Sequence, residues 1–397
     1  MSCAQADDSK NIAGSNLEIT RKITPTYAFH TEKGNMSEPW VVIPTNDGAV
    51  VAGVGGKSGG AFAAYAAKVG KDGTVLWSHA VESKEKLNPA YAKPQYSCGV
   101  LMDDGSVFLG GTMPAADSIP RKPRTGILTH LSKSGEVLSD RLPMPSAMEH
   151  GSVEFVDAAH VGEIAIFLAR VMNVIKSGSS EDSYWLIAID KAGVTAWEKQ
   201  VSIPGKHYVC ADRLRLVTLK EEGVVIVSQD NVETLLFKVN PKGEVVAKTQ
   251  FKGCPPIVRS SGQDAVLQVA WFSDGAPKIA TFDKDLKEIR KETFKKWPAK
   301  EFFPTSIHRT PEGYFFAASD HGQPFMAFAK DAASDILKVG IGDKDTDARR
   351  DMVAYVRAAA PTGKPGEFMV APDVKSHPIL FVQAPVALHS VGASQDK

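Results

Sequence analysis

Along this chain short apolar runs alternate with glycine-centred polar breaks, and the runs read as strands. The clearest stretch is Tyr184 to Ile203, YWLIAIDKAGVTAWEKQVSI, two apolar strands joined by a tight turn at Lys191-Ala192-Gly193. The pattern returns in AAYAAKVGKDGTVLWSHAV from Ala63 and TGILTHLSKSGEVLSDRLP from Thr125. It returns again in TLLFKVNPKGEVVAKTQF from Thr234 and PKIATFDKDLKEIRKETF from Pro277. A second kind of turn precedes a short, strongly apolar strand. It occurs at Asn46-Asp47-Gly48, Asp103-Asp104-Gly105, Val161-Gly162, Glu221-Glu222-Gly223, Ser261-Gly262, Pro311-Glu312-Gly313 and Pro365-Gly366. These seven glycines stand 39 to 61 residues apart, room for four strands each. Tight hairpin turns need a residue that tolerates positive φ, and glycine supplies it.

A unit repeated this often cannot bury both its faces alone, so it stacks on copies of itself. The expected fold is all-β: a single seven-bladed β-propeller of four-stranded blades over residues 16–391. Residues 1–15 are expected to be a signal remnant or disordered tail, and 392–397 a disordered tail. The last unit, EFMVAPDVKSHPILFVQAP, shows two clear strands after its turn and no fourth. NLEITRKITP from Asn16 matches DLKEIRKETF from Asp285, so the N-terminal strand is expected to complete the last blade and close the ring. Closure would remove an exposed sheet seam. An open solenoid is the alternative, and it needs polar capping ends that the chain does not show. Asp347 to Ala360, DARRDMVAYVRAAA, has a helical composition but is read as the inner strand of the last blade.

Composition narrows the partners. With 43% hydrophobic and 23% charged residues this is a globular chain, and a formal net charge of zero argues against nucleic acid or an anionic membrane surface. No apolar run approaches the ~18 residues of a membrane span. Ala4-Gln5-Ala6 before Asp7-Asp8-Ser9 looks like a secretory cleavage site, and Cys3 is alternatively a lipidated first residue. The protein is therefore expected in the periplasm or secreted. Cys98, Cys210 and Cys254 lie far apart with no C-x-x-C, which indicates neither a disulfide framework nor zinc.

In a propeller the A–B and C–D turns share one face, and the longer D–A and B–C connections share the other. The long ones, Lys57 to Gly60, Glu82 to Tyr96, Met113 to Arg124 and Met172 to Asp182, cluster on blades one to three. Those at Asp230 to Val232, Ser273 to Ala276 and Asp320 to Gln323 are short. Loops on a rigid ring commonly carry binding residues, and the uneven lengths favour a partner gripping one sector. Residues just before each inner strand should ring the channel mouth. They are Glu38, Trp40, Tyr96, Glu149, His150, His207, Tyr208, Arg259, Glu301, Phe302, Arg349, Arg350 and Asp351. Aromatics and arginines there suit a protein interface. Glu149, His150, His207 and Glu301 are alternatively competent ligands for a divalent metal ion. The same groups equally line a wet polar channel. Arg121, Lys122 and Arg124 in IPRKPR make a basic loop tip, either solvated or a contact for an acidic partner.

Other motifs fall away. AGVGGKS from Ala52 misses the phosphate-loop pattern, because Val51 stands where the first glycine is required and a strand follows in place of a helix. Cys98 and Cys210 have no base fixed beside them by spacing, although His207 is near the second. No G-x-S-x-G, H-E-x-x-H or paired-carboxylate signature is present.

Lys71-Asp72-Gly73 with Trp77, and Ala188 to Gly193 with Trp197, resemble the blade-edge tryptophan repeats of bacterial quinoprotein-like propellers. That resemblance implies a propeller outside the cytoplasm. The chain lacks the longer Asp-to-Gly spacing, the additional blades and the adjacent cysteines of the dehydrogenases, so quinone chemistry is not implied. The expectation is a non-enzymatic propeller that binds another protein, as an envelope-assembly scaffold or an immunity-type inhibitor of a toxic envelope-acting enzyme. The alternative is a metal-dependent hydrolase or lyase with its site at the channel mouth, as in gluconolactonase-type propellers.

Overall fold

A computed structural model describes residues 18–23, 35–57, 62–70, 74–82, 93–114, 124–143, 145, 151–174, 180–202, 214–229, 233–252, 254–261, 266–273, 276–295, 303–310, 313–320, 323–340, 356–361, 367–372 and 379–383. Among them the structure is all-β, with one 3-10 turn at Lys220–Glu222. Every sheet is antiparallel and four-stranded. Sheet 1 holds β2 (Asn35–Thr45), β3 (Gly48–Lys57), β4 (Phe62–Gly70) and β5 (Val75–Glu82). Sheet 2 holds β6 (Gln95–Leu101), β7 (Val107–Pro114), β8 (Arg124–Leu131) and β9 (Val137–Arg141). Sheet 3 holds β10 (Gly151–Val161), β11 (Ile164–Val174), β12 (Ser180–Asp190) and β13 (Thr195–Ser202). Sheet 4 holds β14 (Arg215–Thr218), β15 (Val224–Gln229), β16 (Glu233–Val239) and β17 (Val245–Lys252). Sheet 5 holds β18 (Cys254–Ser261), β19 (Val266–Ser273), β20 (Ala276–Phe282) and β21 (Glu288–Thr293). Sheet 6 holds β22 (Phe303–Thr310), β23 (Gly313–Asp320), β24 (Gln323–Ala329) and β25 (Leu337–Gly340).

The remaining sheet breaks chain order. β26 (Val356–Pro361), β27 (Glu367–Pro372) and β28 (Ile379–Gln383) are joined on the outer edge by β1 (Glu18–Ile23), which pairs with β28 from Glu18↔Gln383 to Ile23↔Ile379. Part of the ambiguous Asp347–Ala360 stretch is thereby assigned, since β26 is a strand from Val356; residues 347–355 lie outside the described residues. So do both expected tails, 1–15 and 392–397.

Why these runs become strands is visible in their burial. All nine residues of β4 are buried, and so are the first six of β7. Such continuous burial means that both faces of a sheet are covered. Alternate side chains then serve different neighbours. Val107 and Leu109 point into the layer shared with Val50, Ala52, Ala64 and Ala66 of sheet 1, whereas Phe108 joins Phe155, Phe167 and Trp185 of sheet 3. In turn Ile166 and Leu168 pack with Leu216, Ile226 and Phe237 of sheet 4. Room for rings is made by glycine. A methyl on Gly110 would lie 2.8 Å from Phe167 Cδ1. Outer strands are half-exposed, and Leu76, Leu138, Val246 and Ile289 there are each more than half exposed.

Most inner strands carry a bulge. Register shifts occur between Pro39 and Val41, Tyr96 and Cys98, Phe155 and Asp157, Cys254 and Ile257, Pro304 and Ser306, and Val356 and Ala358. Bulges bend a strand and increase its twist. Each inner strand touches the next in order from β2 to β26, and β26 also touches β2.

The turn between third and fourth strands is built the same way in sheets 3, 4 and 5. Asp190 Oδ1 accepts the amides of Ala192 (3.0 Å) and Val194 (2.8 Å); Asn240 and Asp283 accept equivalent pairs. The residue closing each turn has positive φ: Gly135 at 89°, Gly193 at 82°, Gly243 at 83°, but Leu286 at 60°. Against these turns lies the fourth strand of the preceding sheet. Trp77 Nε1 donates to the Lys133 carbonyl at 3.1 Å, and Trp197 Nε1 to that of Pro241 at 2.8 Å. A methyl on Gly135 would fall 2.5 Å from Trp77, and one on Gly243 would fall 2.8 Å from Trp197. At the next junction the volumes are exchanged. Ala247, paired with Lys238 as Trp77 is with Lys68, packs in the cluster that contains the buried Leu286.

This exchange predicts a coupled pair. Leu286→Gly relieves an unfavourable φ yet removes a buried side chain, for a net loss of roughly 2 kcal/mol. Combining it with Ala247→Trp should recover about 1 kcal/mol or more relative to additivity, read from denaturant unfolding as a double-mutant cycle. Strictly additive effects would show that the two positions do not share the junction.

Candidate functional site

Antiparallel chain order sends alternate connections of each sheet to opposite ends. At one end consecutive strands are joined by two to seven residues, and the segments before β1 and after β28 adjoin the same end. The other carries residues 58–61, 83–94, 115–123, 142–150, 175–179 and 203–214, then the short 230–232, 253, 274–275 and 321–322. Connections 24–34, 294–302 and 341–355 are also long, and 373–378 is intermediate, so length is spread more widely than over the first three sheets. The tight ends of neighbouring sheets coincide, because Trp77 and Trp197 each reach the turn of the following sheet.

The expected interface residues divide sharply. Arg121, Lys122, Glu149, His150, His207, Tyr208, Glu301, Phe302, Arg349, Arg350 and Asp351 lie outside the described residues, and with them all four alternative metal ligands. Among the described residues no group of three or more His, Cys, Asp or Glu is placed to hold a metal ion. Trp40 sits at the β2 bulge, half-buried, against the layer between sheets 1 and 2. Tyr96 is fully buried and its hydroxyl bonds Thr129 Oγ1 at 2.7 Å, so it serves the core and offers no surface to a partner. Arg124 stands at the base of the basic loop. Its guanidinium meets Glu154 Oε1 of sheet 3 at 3.1 Å, and its amide donates to Ser152 Oγ at 2.8 Å. The loop therefore springs from a point tied across two sheets.

Cys98 is no nucleophile. Its thiol is buried against the Gly110 carbonyl, and burial, with Asp157 adding repulsion, pushes its ionisation well above the ordinary range. Cys210 lies outside the described residues.

Two features had no sequence signal. The first is a polar chain crossing sheets 1 and 2: Tyr96 to Thr129, Thr129 to Asp140, and Asp140 Oδ2 4.0 Å from His79 Nε2. These are the residue types of a hydrolase, but the order is wrong for one. Thr129 gives its proton to the carboxylate, not to the imidazole, and it is fully buried, so no substrate reaches it. The second is a shallow groove of about 560 Å³ at the tight-turn end, lined by Asp47, Lys68, Leu76, Trp77 and Ser132–Ser134. Lys68 Nζ lies 2.9 Å from Asp47 there, a bond that holds the Asp47 carboxyl below its ordinary value.

No family model and no curated protein sequence matches the chain. Among solved structures, a putative 6-phosphogluconolactonase from Bacteroides fragilis aligns at 15% identity over 86% of this chain and 88% of its own, with a TM-score of 0.46. A glucose dehydrogenase aligns at 8% identity over 72% and 95%, TM-score 0.40. A protein of unknown function from Bacteroides caccae aligns at 9% over 69% and 89%, TM-score 0.38. Likeness of this degree carries no argument about activity, and the functional reading rests on the chain's own geometry.

Asp157 gives a local test of how sheets 3 and 4 are joined. Its Oδ2 accepts the Leu216 amide at 2.8 Å and its Oδ1 that of Ala158 at 2.9 Å. Burial raises its pKa above 3.8, only partly offset by Arg215 and these bonds. The folded state thus holds this proton more tightly than the unfolded chain; the stability it contributes is present in acid and lost as pH rises through the folded value. At pH 7 Asp157→Asn keeps an acceptor for the Leu216 amide but turns its NH2 toward that of Ala158, and should cost less than Asp157→Ala. Asp157→Ala strands the Leu216 amide and should cost about 1–3 kcal/mol by chemical denaturation. A larger loss from Asn than from Ala would contradict the placement.

Proposed function

We propose that the sheets close into one seven-bladed propeller and that its loop-bearing end docks another protein outside the cytoplasm. Closure is supported by β1 on the outer edge of the β26–β28 sheet and by contact of β26 with β2. The pairing of first and last strands ties the chain ends together and covers an edge that would otherwise be open. The observation that carries the docking reading is the asymmetry of the two ends. Tight turns cap one end, whereas the other presents long connections from a framework braced by the Arg124–Glu154 pair. Rigid sheets below and variable loops above are the arrangement by which many scaffolds recognise macromolecules. The role is that of an envelope scaffold or an immunity-type inhibitor, with an acidic face on the partner opposite Arg121, Lys122 and Arg124.

Replacing β1 pairing tests closure: Arg21→Pro should lower the unfolding midpoint by several degrees, and an unchanged midpoint would leave the ring unsupported. For docking, a partner captured from native extract and then purified should bind the Arg121→Ser/Lys122→Ser/Arg124→Ser variant about tenfold more weakly, chiefly at low salt. Unaltered affinity removes this loop from the interface. Stoichiometric divalent metal in the purified protein, lost in His150→Ala and His207→Ala, would instead favour a hydrolase or lyase.

A further inference from the structure

In sheets 1 to 4 the third strand sends one residue to the same place beside the tight-turn end. It faces the fourth-strand position that holds Trp77, Ser139, Trp197 or Ala247, and it is Lys68, His130, Ala188 or Lys238 respectively. Where it is lysine, it latches. Lys68 meets Asp47 of its own first turn at 2.9 Å. Lys238 meets Glu222 at 2.9 Å and also donates to the Lys284 carbonyl of the next sheet at 2.9 Å. Both lysines are about 5% exposed, so each cation is compensated where it is buried.

In sheet 2 an imidazole takes that place. His130 is 2% exposed and lies flat on Phe108, with centroids 3.8 Å apart and planes 11° from parallel. Its Nε2 has no hydrogen-bond partner among the described residues. The charged groups near it are Asp104 in the β6–β7 turn and, across the junction, Asp190 and Lys191 of the β12–β13 turn, with Ser139 of β9 between. His160 of β10 lies at the same junction, 3.9 Å from Asp103. On the opposite side of sheet 2, His79 of β5 is 12% exposed and also has an Nε2 without a hydrogen bond among the described residues. It faces Asp140 of β9 at 4.0 Å, with the neutral Thr129 and Tyr96 hydroxyls behind.

We propose that sheet 2 is clamped on both sides by neutral imidazoles, His79 against sheet 1 and His130 against sheet 3, and that acid loosens it from both neighbours. Charging His130 places a cation against the Phe108 ring with no hydrogen-bond partner at Nε2 among the described residues, and charging His79 leaves it only Asp140 at 4.0 Å, beyond hydrogen-bonding distance, to offset the loss of water. Burial lowers the pKa of both below 6.5, with Asp140 and Asp104 opposing in part. A histidine depressed in the folded state contributes stability above the unfolded value of about 6.5, and that contribution is lost as pH falls below it. Sheet 2 carries the 115–123 loop, so the device acts on one sector of the molecule.

The test follows the full chain from pH 8 to 5 by histidine proton NMR, by thermal unfolding and by amide exchange corrected for intrinsic rates. Both rings should titrate below 6.5. The wild-type midpoint should drop by roughly 2–4 °C more than that of His79→Gln/His130→Gln. Amides of β6–β9 should lose protection before those of β14–β17. His130→Lys, which can pair with Asp104 as Lys68 does with Asp47, should abolish the dependence at that junction. Titration of both rings at or above 6.5, or no preferential exchange in β6–β9, overturns the proposal; the NMR and exchange readings need only wild type, so a variant that fails to fold leaves them decisive.

Discussion

The constraint on which the structure depends is that its central strands must be covered on both faces. A sheet whose middle strands are buried along most of their length has no side it can turn to water, and burial of each Val, Leu or Phe contributes about 1.5–3 kcal/mol only when a neighbour supplies the second face. Sheet 2 illustrates this. Leu109 belongs to the layer with sheet 1 and Phe108 to the layer with sheet 3, although they are adjacent in the chain. No single sheet is a folding unit on these terms. An array that ends leaves two faces exposed, and an array that returns on itself leaves none.

The layers differ in how they are filled. Sheet 1 offers alanines at 52, 64 and 66 to the larger side chains of sheet 2, whereas Phe108 of sheet 2 meets Phe167 of sheet 3 edge-on, beside Gly110. At the tight-turn end the same complementarity recurs with opposite assignments, tryptophan over glycine at two junctions and alanine beside leucine at a third. Close packing explains why: at these three junctions a large side chain faces a small one, and either sheet can supply it. The buried lysines obey a similar rule with charge in place of volume, since each carries its carboxylate from its own sheet.

Legibility in the sequence fell off from strand to surface. The hairpins at 63–81, 125–143, 184–203, 234–251 and 277–294 were visible because alternating apolar residues and Asp or Lys before Gly state a local preference that the fold keeps. The pairing of β1 with β28 was suggested by a missing fourth strand and a matching N-terminal pattern. Leu286 was not foreseeable, because the expected residue there is glycine and its side chain makes sense only beside Ala247. Tyr96 misled for a related reason: its place before an inner strand suggested the channel mouth, yet a ring with Thr129 within reach is better satisfied inside. The candidate interface stays less defined, since the residues expected to form it belong to connections, whose conformation no local pattern encodes.

Residue order by itself determined the strands, their turns and their grouping in fours, because turn chemistry and two-sided hydrophobicity act over a few neighbouring residues. Only tertiary structure decided which layer each side chain enters, where inner strands bulge, and which imidazoles are sealed between sheets. Those outcomes depend on contacts such as Trp77 with Lys133 and Arg124 with Glu154, between residues about 30 to 60 positions apart, whose energies exist only once whole sheets have been brought face to face.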